Sequence, residues 1–178
     1  MRKIQNAELN RLSVDDFKAS EKNPFAIILD NVRSMNNIGS VFRTADAFRA
    51  SVIGLCGITA TPPHREIHKT ALGAEESVEW FYAKETTDAI RKLKSAGYKI
   101  VAIEQVRQGI PLSDFIPEKE VRYAFIFGHE INGVSEDALD LCDLAIEIPQ
   151  EGMKHSINVA VSAGIILWHC YAGMKRKQ

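Results

Sequence analysis

Apolar residues along this chain change spacing in a regular way. The run "FAIILDN" at 25 to 31 is short and continuous, like a buried strand. The stretch "NNIGSVFRTADAF" at 36 to 48 instead places Ile38, Val41, Phe42, Ala45 and Phe48 on one helical stripe. Continuing in this way predicts strand 25–31, helix 37–49, strand 51–56, a loop with Pro62 and Pro63, and strand 78–82. Helix 87–96, strand 98–104, strand 121–127, helix 136–141, strand 144–148 and helix 156–174 follow. Such alternation predicts an α/β domain with a mainly parallel sheet and helices on both faces. Residues 6–19 read as helix, and Pro24 then disfavours helix at Asn23. This divides the chain into an N-terminal extension, 1–24, and a domain, 25–178. Asn36 or Asn37 is the expected N-cap of the first domain helix, Thr86 that of helix 87–96, and Gly97 its left-handed terminator. The stretch "INVAVSAGIILW" is apolar or small nearly all round, so its helix should be covered on more than one side. A second subunit could supply that cover, which makes a homodimer plausible.

Composition narrows the picture. A chain of 178 residues with 46% hydrophobic and 25% charged residues fits one ordinary globular domain. Cys56, Cys142 and Cys170 are far apart, odd in number and outside any C-x-x-C pattern, which points to a reducing compartment and against a zinc site. The start lacks a signal-peptide core and no apolar run is long enough to span a bilayer, so a cytoplasmic protein without membrane contact is expected. A net charge of −1 does not advertise nucleic-acid binding. Local basic groups do exist: Arg2, Lys3 and Arg11, "HREIHK" at 64 to 69, and "KRK" at 175 to 177. Each can equally be a solvated surface patch.

Chemistry concentrates at three strand ends. Arg43 lies opposite the apolar stripe of its helix and, read blandly, pairs with Asp46 at i+3. In "YAFIFGHEINGVS", 123 to 135, the strand ends at Gly128, where a missing side chain permits close backbone approach or an unusual turn. Glu130 and Asn132 follow, and Ser135 can cap the next helix. In "IEIPQEGMKHSINVAV", 146 to 161, Ser156 can be an N-cap, but Asn158 is an amide within an otherwise apolar helix and needs partners. Ligands collect beyond the carboxyl ends of strands in open α/β sheets. No dinucleotide glycine fingerprint, phosphate loop or hydrolase elbow is present, and the histidines lack metal-site companions. No metal is therefore expected.

Taken in order, "NNIGSVFRTAD", "FGHEINGVS" and "IPQEGMKHSINVAVSAG" resemble the three motifs of the SpoU family of RNA ribose 2′-O-methyltransferases, in the SPOUT superfamily. "KTALGAEESVEW" at 69 to 80 is also similar to this family, and the resemblance runs over roughly residues 25 to 172. It implies an α/β fold with a C-terminal trefoil knot, a homodimer, and S-adenosylmethionine held in the knotted loops. By motif, the cofactor-binding positions are Gly128, Ile148, Met153 and Ser156, with Ile103 and Glu104 at a further strand end. The catalytic positions are Arg43, Asn37, Glu130, Ser156 and Asn158, with the arginine reaching across the dimer. Gln150 and Glu151 depart from the family's usual apolar residue after the motif-three proline. His129 occupies a variable position. Small members of the family often act on tRNA, so tRNA is the first expected substrate and ribosomal RNA the second. A non-catalytic RNA-binding module with the same fold is the principal alternative, and an unrelated nucleotide-using α/β enzyme another.

Overall fold

The computed structural model of the chain describes residues 1–5, 8–9 and 12–175. Its strands are β1 (Phe25–Asp30), β2 (Val52–Cys56), β3 (Trp80–Ala83), β4 (Tyr98–Ile103), β5 (Ile110–Pro111), β6 (Arg122–Phe127) and β7 (Leu144–Glu147). They form one sheet in the order β3-β2-β1-β6-β4-β7-β5, and every pairing is parallel. All the strands therefore end at the same edge, where the polar motifs lie. The helices are α1 (Val14–Ala19), α2 (Met35–Ala47), α3 (Arg65–Ala71), α4 (Ala74–Ser77), α5 (Thr86–Ser95), α6 (Glu136–Leu139) and α7 (Val159–Lys175).

Strand β1 is buried along its whole length, as a central parallel strand must be. Its period of two feeds two cores. Phe25, Ile27 and Leu29 face Ile38, Val41 and Phe42 of α2 and Ile166 and Leu167 of α7. Ala26 and Ile28 face Ala89, Ile90 and Leu93 of α5 and Ala138 of α6. Each fully buried Ile, Val, Leu or Phe contributes about 1.5–3 kcal/mol relative to exposure, so both helical layers are held by the same strand. The expected sheet with helices on both faces is present.

Local details differ from expectation. Helix α2 begins two residues early, capped by Ser34, whose hydroxyl accepts from Asn37 N–H at 3.3 Å. That leaves both asparagine side chains of the corner free of capping. Thr86 is the first residue of α5 rather than its cap, and its hydroxyl donates to the buried Asp30 carboxylate. Asp30 also accepts from Ser135 N–H at 2.8 Å and from the Asn31 side chain at 2.8 Å, so this buried charge is satisfied from three sides. Gly97 follows α5 with φ +82°, as a left-handed terminator. Helices α3 and α4 and strand β5 were not expected. In α3 only Ile67 and Ala71 are buried, and two apolar positions are too few to reveal a period.

Of the expected helix 6–19, α1 is present from Val14, with Phe17 buried in the main core; residues 6, 7, 10 and 11 lie outside the described residues. So do 176 and 177 of the basic tail. Arg2 is paired with Glu8 at 2.9 Å. Burial pushes the thiols of Cys56 and Cys170 up to about 12 and that of Cys142 to about 11, consistent with inert packing groups. Helix α7 buries Val159, Ala163, Ile166, Leu167 and Cys170, while Val161 and Trp168 are 51% and 58% exposed. Among the described residues, no helix is long and apolar enough to cross a membrane.

Candidate functional site

A cavity of about 500 Å³ opens at the carboxyl ends of β4, β6 and β7. Ile103, Phe127, Ile148 and Val159 give it apolar wall, and Glu104, Glu130 and Glu147 give it carboxylates. Gly128, Ser156 and Asn158 also line it.

The three polar corners are joined by hydrogen bonds. Glu130 accepts from the backbone N–H groups of Arg33 at 3.1 Å and Ser34 at 3.0 Å, and from the Asn37 side-chain amide at 3.1 Å. The Asn37 side-chain oxygen in turn accepts from the Asn158 side-chain amide at 3.0 Å. Asn158 Oδ1 accepts from Ala160 and Val161 N–H, at 2.9 and 3.4 Å, and so caps α7. The cap of the last helix is therefore Asn158, not Ser156, and the helix starts at Val159 rather than 156. An amide both accepts and donates, which is why asparagine can stand between a carboxylate and a helix end. Partial burial would raise the Glu130 carboxyl. The N–H groups of Arg33, Ser34 and Glu130 itself, with the Asn37 amide, outweigh that and hold it below the ordinary glutamate range.

Of the two readings of Gly128, close backbone approach or an unusual turn, the structure shows the turn. A Cβ there would stand 2.0 Å from Gly133 C and 2.2 Å from Val134 N, so the chain's own backbone, returning from the 129–133 turn, fills the space. Gly133 in turn has φ +68°, and a Cβ on it would lie 2.1 Å from Glu104 Oε2. Glu104 holds the turn: Oε2 accepts from Val134 N–H and Oε1 from Gln105 N–H, both at 2.9 Å. His129 closes it, accepting on Nδ1 from Ile131 N–H at 3.0 Å and Asn132 N–H at 3.3 Å. Ser135 occupies the N-cap position of α6 without a side-chain cap bond.

Ile103, Glu104, Gly128, Ile148 and Ser156 all border the cavity. Met153 does not; it is 84% exposed on an outward loop. Arg43 is exposed too and lies outside the wall. It makes no ion pair with any described residue; Asp46, its expected partner, accepts from the Ser77 hydroxyl at 2.9 Å. Gln105, Glu147 and Ser162 line the cavity without having been expected. Ser162 was the most findable, since it follows Asn158 by one helical turn.

The SpoU rRNA Methylase family matches residues 24–168 of the chain. The chain belongs to this family. Curated relatives include the 23S rRNA (guanosine-2'-O-)-methyltransferase RlmB of Nitrosomonas europaea, 30% identical over 153 residues, which cover 82% of this chain and 55% of that protein. The tRNA (guanosine(18)-2'-O)-methyltransferase of Thermus thermophilus is 32% identical over 174 residues, 92% of this chain and 82% of that protein. Thus the chain spans about half the length of the first relative and most of the second. Among solved structures, the AdoMet-bound rRNA methyltransferase of Sinorhizobium meliloti aligns with a TM-score of 0.79 at 26% identity, covering 90% of this chain and 61% of that one. The TrmH/SpoU tRNA modifying enzyme of A. aeolicus shares the fold, with a TM-score of 0.76 at 23% identity, over 88% of this chain and 78% of that one. The three segments that the Glu130–Asn37–Asn158 bonds join all lie within the matched residues.

Proposed function

We propose that this SpoU chain is an S-adenosylmethionine-dependent methyltransferase acting on a ribose 2′-hydroxyl of RNA, with tRNA as the first substrate class and ribosomal RNA as the second. The observation that carries this reading is the hydrogen-bonded chain Glu130–Asn37–Asn158, which ties the first motif to the second and third, the two that border the cavity. Support for tRNA comes from the Thermus thermophilus relative, a tRNA (guanosine(18)-2'-O)-methyltransferase that is 32% identical over 92% of this chain.

The cavity fits the cofactor chemically. Ile103, Phe127 and Ile148 offer apolar surface for a planar base, and Glu104 and Glu147 offer negative charge near a cationic centre. When bound, S-adenosylmethionine supplies a methyl group on a sulfonium. Ile103, Glu104, Gly128, Ile148 and Ser156 would hold it, with Met153 reaching in from the loop. Transfer needs positioning of the hydroxyl and removal of its proton, with no metal.

Arg43 is the residue assigned to the RNA. A guanidinium remains protonated in proteins, so it serves poorly as a base. It instead holds a phosphate with paired N–H groups and stabilises the developing alkoxide, and the proton leaves to water or through the phosphate. Because Arg43 stands outside the cavity of its own chain, this role is assigned across a homodimer, with the exposed Val161 and Trp168 of α7 as apolar surface for the partner. Asn37, Asn158 and Glu130 position the loops, and Ser156 faces the reacting groups. Residues 1–24 form an extension to a domain at 25–178, the C-terminal loops form the trefoil knot, and the protein works in the cytoplasm.

Labelled S-adenosylmethionine with separate pools of unmodified tRNA and ribosomal RNA, followed by nuclease digestion, tests this reading. Label in one 2′-O-methyl nucleoside of tRNA is the expected result. Label confined to ribosomal RNA changes the substrate and keeps the chemistry. Cofactor binding without label in either pool defeats the enzymatic reading and favours a binding module. In Arg43→Lys, a pH–rate profile lowered in height but unchanged in shape supports the electrostatic role; loss of an ionisation overturns it.

A further inference from the structure

A second cavity, of about 510 Å³, lies away from the first, between α3, α4 and the start of β3. Its wall contains His64, Arg65 and His68 of the basic stretch "HREIHK", which the methyl-transfer site leaves unused. Arg65, His68, Glu75, Glu76 and Trp80 border it. Arg65 is exposed and makes no ion pair with any described residue. His68 is fixed: its Nδ1 lies 2.5 Å from Glu75 Oε1, so Nε2 is the nitrogen left for a ligand. The Glu75 side chain is only 9% exposed, and its other oxygen, Oε2, is buried without a hydrogen-bond partner. A buried carboxylate oxygen left unpaired is costly, and a turn of the Glu75 carboxylate toward the adjoining cavity would present it to a donor there.

These groups form a complementary set for one kind of ligand. A cation and an oriented imidazole suit a phosphate, a tryptophan face suits a base, and carboxylates accept only from donors. Guanine is the base whose pairing edge presents two adjacent donors. The pocket is also linked to the catalytic corner, because the Thr70 hydroxyl at the far end of α3 donates to Asn36 C=O at 3.0 Å. Helix α3 has seven residues and so spans about 10 Å. A strand lying along it would pass from the pocket to the first motif.

We propose that the cavity between Arg65, His68, Glu75 and Trp80 is a guanine-nucleotide subsite, which holds a nucleotide of the substrate RNA other than the one methylated. This rests on the RNA-methylation reading for its source of nucleotide, though not for its chemistry. The Trp80 face stacks the base, Glu75 and Glu76 accept from its edge, and Arg65 and His68 hold its phosphate.

The chain has two tryptophans, so Trp168→Phe leaves Trp80 as the sole indole reporter. Titration of that protein with GMP, AMP and UMP should show saturable quenching strongest for GMP. In steady-state methylation, Arg65→Ala and Glu75→Gln should each raise the KM for RNA at least fivefold, with kcat and the KM for S-adenosylmethionine within twofold of wild type. Arg65 is exposed, so its variant remains informative even if Glu75→Gln unfolds. Active wild type with no GMP quenching and unchanged RNA KM in R65A overturns the subsite and keeps the enzyme. GMP quenching in a protein that methylates no RNA supports the subsite and defeats the methylation reading.

Discussion

Two walls of the first cavity carry equally polar sequence but treat it differently. On one side, Glu130, Asn37, Asn158, His129 and Glu104 have their groups committed to named partners, several of them backbone amides. On the other, His155 and Ser156 are exposed, as is the 151–154 loop just outside the cavity, and the side chain of Gln150 reaches only Ile148 C=O, at 3.5 Å. The first wall is organised before any ligand arrives. The second has few internal bonds, so its order must come from what binds it. Polar residues in a motif therefore do two separable jobs: some build the site, and some wait for the substrate.

The largest expected effect lies at a residue outside both walls that also waits for the substrate. Arg43→Ala should lower methyl transfer by about 10²–10³-fold in single-turnover assays, as for loss of a donor aimed at developing negative charge. Cofactor affinity should stay within twofold, and near-full turnover would remove Arg43 from the chemistry. Next, Gly128→Ala should attack the built side, because its Cβ meets backbone that cannot rotate away. A loss of about 1–3 kcal/mol in denaturant unfolding is expected, together with weakened cofactor binding. Asn158→Ala removes both the α7 cap and the bond to Asn37, and should cost about 0.5–2 kcal/mol. Ser156→Ala, which has no partner among the described residues, should stay within about 0.5 kcal/mol; equal losses in the two variants would erase the distinction between walls.

Smaller effects follow from titration and exchange. The Glu130 carboxyl is held below its ordinary value near 4.5, so its contribution to stability is complete above that pH and is lost as pH falls through the folded value. Wild type and Glu130→Gln should therefore differ in stability at neutral pH and converge in acid; parallel curves would mean the bonds to Arg33 and Ser34 contribute nothing. Finally, backbone amides at 150–156 should exchange fast in the free protein and slow when S-adenosylmethionine is added, while those at 131–134 are already protected. Equal protection of both stretches before ligand addition would break the comparison.

How legible the molecule was depended on range. The central strands and the long helices α2, α5 and α7 carry enough apolar positions to declare their period, and their ends fell within a few residues of expectation. Helix α3, with two buried residues, carried no such signal. The motif segments singled out Asn37, Glu130 and Asn158, yet nothing in their spacing says that one amide bridges the other two across 93 and 121 positions of chain. Gly128 is legible as a position without room for a side chain, but that the backbone of Gly133 and Val134 closes on it is not. Glu104 is read from the sequence only as a strand-end residue, and the returning turn at Val134 shows what it holds.

The sequence by itself determined the α/β alternation, the parallel sheet, the family and the segments from which the site is drawn, because hydrophobic period and local motifs are properties of neighbouring residues. The tertiary structure decided which polar groups are spent on building the site, that Arg43 stands outside its own chain's cavity, and that "HREIHK" borders a second pocket with a buried carboxylate. Those facts depend on contacts between residues far apart in the chain, and such contacts exist only after the strands have brought their carboxyl ends to one edge.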